Sequence, residues 1–316
     1  MKNKSFKDIV RSIPPVVYML VAMIVIFSII EPLYLSARNF RNILLQCVPL
    51  MIMAFAQTIV ILTEGIDMSL NAVVNIVTVL TVWLAIKGVP LPVGMAISVL
   101  VAILIGVVKG FFVSKFSLPP FIVSYGMQNI VNSIALLLTG GASIYFASEL
   151  YRTFTKTVLF VPNNVWVAAV MFLLTYTMLK RTKLGANIRA LGGNPESLTL
   201  AGVNPGKSLI KAYAFAGFLT GIAGLMMLCR VESGQPVVAN GLEFQSVAAT
   251  VLGGTSLRHG KGNVTGTILG VLLIQVIQNG LNICGVPAIY QSVSTGGIVL
   301  AAIIVNALIT SRKAKA

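Results

Sequence analysis

Charged residues are scarce in this chain. Only 10% of its 316 residues are charged and 57% are hydrophobic, whereas soluble domains average roughly a quarter charged and half apolar. The mean hydropathy is +0.93. This composition excludes an ordinary soluble domain and predicts a membrane protein.

Cysteine and histidine are also scarce. Cys47, Cys229 and Cys284 lie inside apolar runs without CxxC spacing, which indicates small core residues. The single histidine, His259, has no cysteine or carboxylate nearby at a metal-ligand spacing. We therefore expect no metal site, no cofactor bound by this chain and no enzymatic activity.

Acidic residues are few, with 8 Asp and Glu against 23 Lys and Arg. A strong basic excess is often typical of nucleic-acid binding, but here the basic residues are scattered between apolar runs instead of gathered on one polar face. Anchoring by the positive-inside rule explains them more simply. We expect these basic residues to contact a lipid bilayer and no nucleic acid.

Apolar runs dominate the rest of the chain. At roughly 20 residues per crossing, they predict an all-α polytopic membrane protein with about ten transmembrane helices in a single transmembrane domain, 1–316. The third and eighth segments are entered through polar residues, which favours broken or partly buried helices. The candidate segments begin near residues 14, 43, 67, 91, 121, 158, 208, 241, 264 and 288.

The distribution of basic residues predicts the orientation. With both termini in the cytoplasm, most basic residues are inside, among them Lys109 and Lys115. The first apolar run, 16–30, follows a basic stretch and resembles a signal peptide, but Glu31 and Pro32 follow it instead of a small-residue cleavage site. We therefore expect an uncleaved first span.

Two stretches share an internal pattern. GIDM at 65–68, followed by Ala72, matches GLEF at 241–244, followed by Ala248, at identical spacing. The offset predicts that spans two to five are repeated as spans seven to ten. Because five crossings separate the partners, the copies are inverted, as is typical of transporters. Chance similarity between apolar helices is the alternative.

Carboxylates inside a membrane are costly and are functional candidates. Glu64 and Asp67 lie three apart in LTEGIDMS, Asn71 follows them, and Glu243 begins the matching helix. These four are candidate pathway or helix-start residues. A proton-coupled secondary transporter would use Glu64 or Asp67, whereas a carboxylate at a helix start is stabilised by exposed N–H groups and the helix dipole.

The stretch GGNPESLTLAGVNPGKS, residues 192–208, ends almost like a phosphate-binding loop. Three residues instead of four separate its last two glycines, and no predicted strand precedes it, so we expect no nucleotide site here. Asn194 suits an N-cap, Pro195 the first helical position and Glu196 the helix dipole. The pattern therefore predicts a short surface helix between two spans.

At this point a family resemblance emerges. TKLGANIRALGGNPESLTLAGVNPGK, residues 182–207, resembles the cytoplasmic coupling loop of the permeases of ribose-type ABC importers. The similarity extends through LPPFIVSYGM, ALLLTGG, VLGGTSLRHGKGNVTGTILG and NGLNICGVP. It implies a transport subunit of the bacterial inner membrane. Two such permeases, identical or different, form the pathway for a monosaccharide or related small polar solute.

The resemblance also implies partners and site residues. A separate ATPase, which binds the ATP and Mg, docks on the coupling loop at 184–206, and a periplasmic binding protein delivers the solute. Importers of branched-chain amino acids are relatives and remain the alternative, although the Gly-Gly-Asn form resembles the sugar branch more. The coupling residues implied are Arg189, Gly192, Gly193, Asn194, Pro195 and Glu196.

Three positions depart from the family's usual pattern. Glu64 and Asn71 stand where glycine is usual, and Lys109 stands where a neutral residue is usual. A partner with small residues at these places would compensate. The departures therefore suggest that this chain is one of two non-identical permease subunits.

Overall fold

The computed structural model describes residues 14–158 and 161–287, with a few positions between 290 and 304. The described chain is mostly helical. In chain order its helices are α1 (Pro15–Ile30), a 3-10 turn (Pro32–Leu35), α2 (Ala37–Ile61), α3 (Leu70–Ile86), α4 (Leu91–Phe116), α5 (Pro120–Thr139), α6 (Glu149–Thr155), α7 (Asn163–Arg181), α8 (Lys183–Gly193), α9 (Pro195–Leu200), α10 (Pro205–Val231), α11 (Leu242–Leu252) and α12 (Val264–Ile283).

Four two-residue strands form two antiparallel pairs. β1 (Ile144–Tyr145) pairs with β4 (Ser233–Gly234), and β2 (Thr157–Val158) pairs with β3 (Val161–Pro162). The first pair joins the connection after α5 to the connection after α10. It therefore holds together two segments that are distant in the chain.

Helix length can be compared with the ten predicted spans. Each of the first nine predicted segments coincides with a helix, and the tenth lies largely outside the described residues. Among the described residues, five helices, α2, α4, α5, α10 and α12, are long and apolar enough to cross a membrane. The two segments predicted to be weak are α3 and α11, with 17 and 11 residues. The protein is thus a polytopic helical membrane protein.

The chain divides into two compact units, 44–271 and the pair of segments 1–43 with 272–316. In the described part of the second unit, Asn39 and Asn279 exchange side-chain amide hydrogen bonds of 2.9 Å. Because both amides are buried, this reciprocal pairing satisfies polar groups that would otherwise be costly. A single transmembrane domain over 1–316 stays a prediction.

In the larger unit, α4 and α10 pack at very short range. A Cβ added to Gly106 would overlap the backbone of Tyr213, and a Cβ on Gly110 would lie 2.8 Å from Cα of Ile210. Small residues allow helix backbones to approach this closely in membranes. The glycines therefore bring Lys109, which lies between them in the chain, close to α10.

The helices differ in how much of their surface this chain covers. The most apolar stretch of α10 is 72% buried, whereas those of α4 and α5 are 28% and 17% buried. α5 therefore presents most of its surface outward, including an exposed Leu137. Apolar exposure on this scale suits contact with lipid or with another membrane subunit.

Candidate functional site

The segment predicted to contact an ATPase, 184–206, contains most of α8 and all of α9. The Asn194 side chain caps α9 by accepting a hydrogen bond from the Ser197 backbone N–H at 3.3 Å, and Pro195 occupies the first helical position. Gly202, at φ +72°, follows the end of the helix. The predicted short capped helix is confirmed, and its role with an ATPase stays a prediction. We call 184–206 the coupling segment.

The inner side of the coupling segment rests on two other parts of the chain. A Cβ on Gly192 would overlap the Leu62 carbonyl oxygen and lie 2.9 Å from Cα of Gly260. Arg189 donates a hydrogen bond to the Gly262 carbonyl at 3.2 Å. Glycine at 192 is therefore what allows α8 to touch both the end of α2 and the loop between α11 and α12.

The outer side of the coupling segment is exposed. Gly193, Asn194, Pro195 and Glu196 are all exposed, unlike Gly192. A Cβ on Gly193 would find its nearest neighbour, the His259 carbonyl oxygen, at 3.7 Å, which is ordinary contact. The two adjacent glycines thus differ: one is needed for packing and the other borders open surface.

The structure adds an exposed residue that the sequence reasoning did not single out. Leu200, the last residue of α9, is 89% exposed. An apolar side chain at the tip of a short polar-capped helix is well placed to enter a partner's groove. Its sequence signal was weak, because Leu198 and Leu200 flank one threonine and only the structure shows that Leu198 is the buried one.

Glu64 lies at the end of α2, close to the coupling segment. Its backbone has φ +62°, the left-handed region that favours glycine. Its carboxylate accepts a hydrogen bond of 2.8 Å from the backbone N–H of His259, and both residues are exposed. Glu64 thus joins the end of α2 to the loop on which α8 rests, and it is not enclosed as a proton-carrying site would be.

Asp67 lies in the turn between α2 and α3 and is fully buried. One carboxylate oxygen accepts hydrogen bonds from the Ser69 backbone N–H at 2.9 Å and from its hydroxyl at 2.7 Å. The other oxygen accepts from the ammonium group of Lys109, in α4. Asp67 therefore orders the turn before α3, and its role as a helix-start or pathway residue stays a prediction.

Lys109 has a packing role that the sequence analysis did not predict. We counted it among the basic residues on the cytoplasmic side, which stays a prediction, and the structure shows that it is only 2% exposed. Its ammonium group also donates to the Ser69 hydroxyl at 2.6 Å and lies 6.0 Å from the ring centroid of Tyr213. Lys109 is a buried partner of Asp67.

A row of polar residues lies between α3 and α5. Two hydrogen bonds set the register of these helices: Met68 N–H donates to the Ser124 hydroxyl at 3.0 Å, and the Asn75 amide donates to Asn132 at 3.1 Å. The sequence separations are 56 and 57. Asn71 and Gln128 are also separated by 57 residues in the chain. In this register they lie between the two hydrogen bonds along α3 and α5.

The row continues into the segment before α11. The Asn75 amide also donates to Asn240 at 3.1 Å, while its oxygen accepts from the Ala239 backbone N–H at 2.9 Å. Gln128 donates to Glu243, in the first turn of α11, at 3.4 Å. We call the set the amide stripe; its members are Asn71, Asn75, Gln128, Asn132, Asn240 and Glu243.

Several oxygen atoms of the amide stripe are unpaired within the described part of the chain. They are Asn71 Oδ1, Gln128 Oε1 and Glu243 Oε2. Asn71 is 1% exposed and Glu243 is 4% exposed. The sequence reasoning identified Asn71 and Glu243 but missed Gln128 and Asn132, whose signal was a four-residue polar spacing within apolar α5.

Comparison with known proteins places these features in a family. The family described as branched-chain amino acid transport system / permease component matches residues 39–308. The ribose import permease protein RbsC of Escherichia coli (strain K12) is 34% identical, with 91% of each chain covered. No solved structure matches the chain.

Two further relatives carry other sugar names. The D-allose transport system permease protein AlsC of Escherichia coli is 31% identical, covering 93% of this chain and 91% of the relative. The galactose/methyl galactoside import permease protein MglC of Haemophilus influenzae is 29% identical, covering 99% and 98%. The chain therefore belongs to the permease family of branched-chain amino acid transport systems and is a transport component of the membrane, not an enzyme.

Proposed function

We propose that this chain is the permease subunit of an ATP-driven importer for a monosaccharide or a related small polar solute. The observation that carries the proposal is similarity over nearly the whole chain to permeases named for ribose, D-allose and galactose. The family description names branched-chain amino acids, and import of such an amino acid is the second candidate. The sugar-named relatives favour the first.

Ten spans in an inverted repeat, spans two to five with seven to ten, are part of the proposal. In support, the helices at the two matched stretches, α3 and α11, are both short and apolar. GIDM lies just before α3, GLEF overlaps the start of α11 at Leu242, and each helix is followed by a longer apolar helix. Both chain termini lie outside the described residues, and we place them in the cytoplasm on charge alone.

The proposed assembly contains further subunits. An ATPase that binds ATP and Mg docks on the coupling segment, with Gly193, Asn194, Glu196 and Leu200 as its exposed contacts. A second permease subunit, identical or different, completes the pathway, and a periplasmic binding protein delivers the solute. The small buried fraction of α5 is consistent with a neighbouring membrane subunit.

Energy enters this assembly through packed contacts. Movement of the ATPase displaces the coupling segment, and the contact of Gly192 with Leu62 and Gly260 passes the displacement to α2 and to the loop before α12. Closely packed elements move as rigid bodies between discrete arrangements. The turn carrying Asp67 follows α2 directly, so the displacement reaches α3 as well.

The geometry disfavours a proton-coupled secondary transporter. Such a transporter needs a carboxylate that gains and loses a proton inside the membrane. Asp67 is paired with Lys109, while Glu64 is exposed beside His259 at the end of α2. Neither arrangement suits a carrier that changes charge during each cycle.

The test is transport by the assembled complex in proteoliposomes. The permease, reconstituted with its ATPase and binding protein, is supplied in turn with radiolabelled D-ribose, D-allose, D-galactose and L-leucine. ATP-dependent uptake of one of the sugars supports the proposal. Uptake of leucine alone, or uptake that is abolished by an uncoupler and needs no ATPase, would overturn it.

A variant tests the docking surface separately. Leu200→Asp is expected to reduce the amount of ATPase that co-purifies with the permease by about tenfold, since an apolar contact at an interface hot spot contributes about 1–2 kcal/mol or more. Val158→Asp, an exposed apolar residue of β2, is the matched control. Normal ATPase recovery with Leu200→Asp would place the docking surface elsewhere.

A further inference from the structure

We propose that the amide stripe is a binding site for the hydroxyl groups of a neutral solute as it passes the permease. The inference rests on the proposed function and adds the residues that bind the solute. It concerns Asn71, Asn75, Gln128, Asn132 and Asn240, with Glu243 as an acceptor. Neither the family description nor the names of the relatives assign this site.

The first argument is the placement of the stripe. Asn71 and Asn75 are buried, Gln128 and Asn132 are partly buried, and Asn240 is exposed. Asn240 and Asn132 both bond to Asn75, and Gln128 bonds to Glu243, so the stripe consists of two hydrogen-bonded groups with Asn71 one helical turn before Asn75. A solute arriving at the exposed Asn240 would meet Asn75 and Asn132 first.

The second argument is unused hydrogen-bonding capacity. Within the described residues, Asn71 Oδ1, Gln128 Oε1 and Glu243 Oε2 accept no hydrogen bond. Leaving a buried polar atom unpaired is costly, and most such atoms in folded proteins are paired. Three of the unpaired buried oxygens of the described residues belong to the stripe, so acceptors are available there for the donors of a solute.

The third argument is chemical complementarity. A primary amide presents two donors and an acceptor, and a sugar hydroxyl both donates and accepts. The stripe therefore matches a ring of hydroxyls, whose hydrogens would fill the unpaired oxygens. An amino acid zwitterion would also need a cation for its carboxylate, and the charged member of the stripe is the acid Glu243.

The ion pair of Lys109 and Asp67 explains why the lysine does not serve as a cation for the stripe. Lys109 is already bonded to Asp67 and Ser69, one turn before Asn71. The positive charge of Lys109 is thus compensated by Asp67. The stripe remains a row of neutral amides with one carboxylate. Hydroxyl recognition by amides and one acidic acceptor, without a cationic anchor, allows a solute to bind and then leave.

The experiment measures import per ATP in the full complex, using the one of D-ribose, D-allose and D-galactose that the wild type imports. Gln128→Leu and Asn132→Leu remove the amide and leave a branched apolar side chain in its place. We expect each to lower sugar molecules imported per ATP hydrolysed by about tenfold, the effect of losing one or two hydrogen bonds to a buried polar site. Gln128→Asn and Asn132→Gln retain an amide and should stay within about threefold of wild type.

Asn129→Leu is the matched control, because Asn129 is on the same helix but exposed and bonded to the Tyr125 carbonyl. It should leave the ratio unchanged, and the amount of assembled complex is measured for every variant. If a leucine variant assembles poorly, Gln128→Ala and Asn132→Ala are compared in the same way, since alanine leaves space and introduces no larger group.

The outcomes separate the two proposals. If the wild type imports none of the three sugars, the proposed function fails and this inference fails with it. If the wild type imports a sugar but the leucine and alanine variants keep its ratio of sugar to ATP, the inference alone is overturned. Equal loss in Asn129→Leu, or loss that the amide-retaining variants share, would also overturn it.

Discussion

The ammonium group of Lys109, in α4, donates a hydrogen bond to the carboxylate of Asp67, in the turn before α3. Both side chains are buried, with 2% and 0% exposure. Ser69 bonds to both partners, so the charges are compensated without water. The pair joins α4 to the turn that links α2 with α3.

Lys109→Met is expected to destabilise the permease strongly. Removing one member of a buried ion pair costs about 3–5 kcal/mol, because the other charge is left without compensation. Thermal unfolding of the purified permease in detergent measures the effect. Lys115→Met, an exposed lysine near the end of the same helix, is the matched control and should change little.

The double variant Lys109→Met with Asp67→Asn should recover most of the lost stability. It leaves no buried charge, and replacing both partners of such a pair is often neutral. Equal loss in the single and double variants would show that the charges do not compensate one another.

Gly192→Ala should weaken the attachment of the coupling segment. Its added methyl group would overlap the Leu62 carbonyl oxygen, and overpacking of this kind costs about 1–3 kcal/mol. We expect fewer sugar molecules imported per ATP hydrolysed. Gly126→Ala, in α5 and outside the coupling segment, is the matched control, because an added Cβ there meets no atom within 4 Å. Equal coupling in the two variants would contradict the packing contact.

Glu196→Lys should reduce transport while membrane insertion remains normal. Glu196 is exposed in the first turn of α9, where a negative charge contributes about 0.3–1 kcal/mol to a helix, so the fold tolerates its reversal. The loss is expected at the surface offered to the ATPase and is measured as ATPase recovered with the permease. A bulky Gly193→Trp should act similarly.

The control for Glu196→Lys is Glu149→Lys, which reverses an exposed acid in the first turn of another short helix, α6. It should leave ATPase recovery unchanged. Unaltered recovery and uptake in Glu196→Lys and Gly193→Trp together would argue against the coupling segment as the docking surface.

Glu64→Gly should support ATP-driven uptake. Glycine relieves a left-handed backbone that costs other residues about 1–2 kcal/mol, which offsets the lost bond to the backbone of His259. We therefore expect unfolding free energy within about 1 kcal/mol of wild type. Loss of uptake with a normal fold would revive the role of Glu64 as a proton carrier.

Much of the fold follows from patterns that act over short distances. Apolar runs predict helices because a segment that crosses the lipid must pair its own backbone N–H and C=O groups by hydrogen bonds within that segment. The caps at Asn194 and Asn204 were equally predictable, since a side-chain oxygen bonds a backbone N–H three residues later. The family resemblance rests on the same local stretch, together with motifs before and after it.

Contacts between distant segments could not be predicted in the same way. Nothing adjacent to Lys109 in the chain indicates that it is buried, because its partner Asp67 lies 42 residues away. Likewise, the two glycines at 192 and 193 look alike until Leu62 and Gly260 pack against one of them. Charge counting treated Lys109 as an ordinary cytoplasmic basic residue, and it could not show that its side chain is buried against Asp67.

The sequence by itself determined a helical membrane permease with a capped surface helix, because hydropathy and capping depend on neighbouring residues. Only the tertiary structure decided which polar groups meet: Asp67 with Lys109, Glu64 with His259, and the amides of α3 with those of α5. The physical reason is that a buried charge or amide must find a partner across the fold, and helix packing alone decides which partner is within reach.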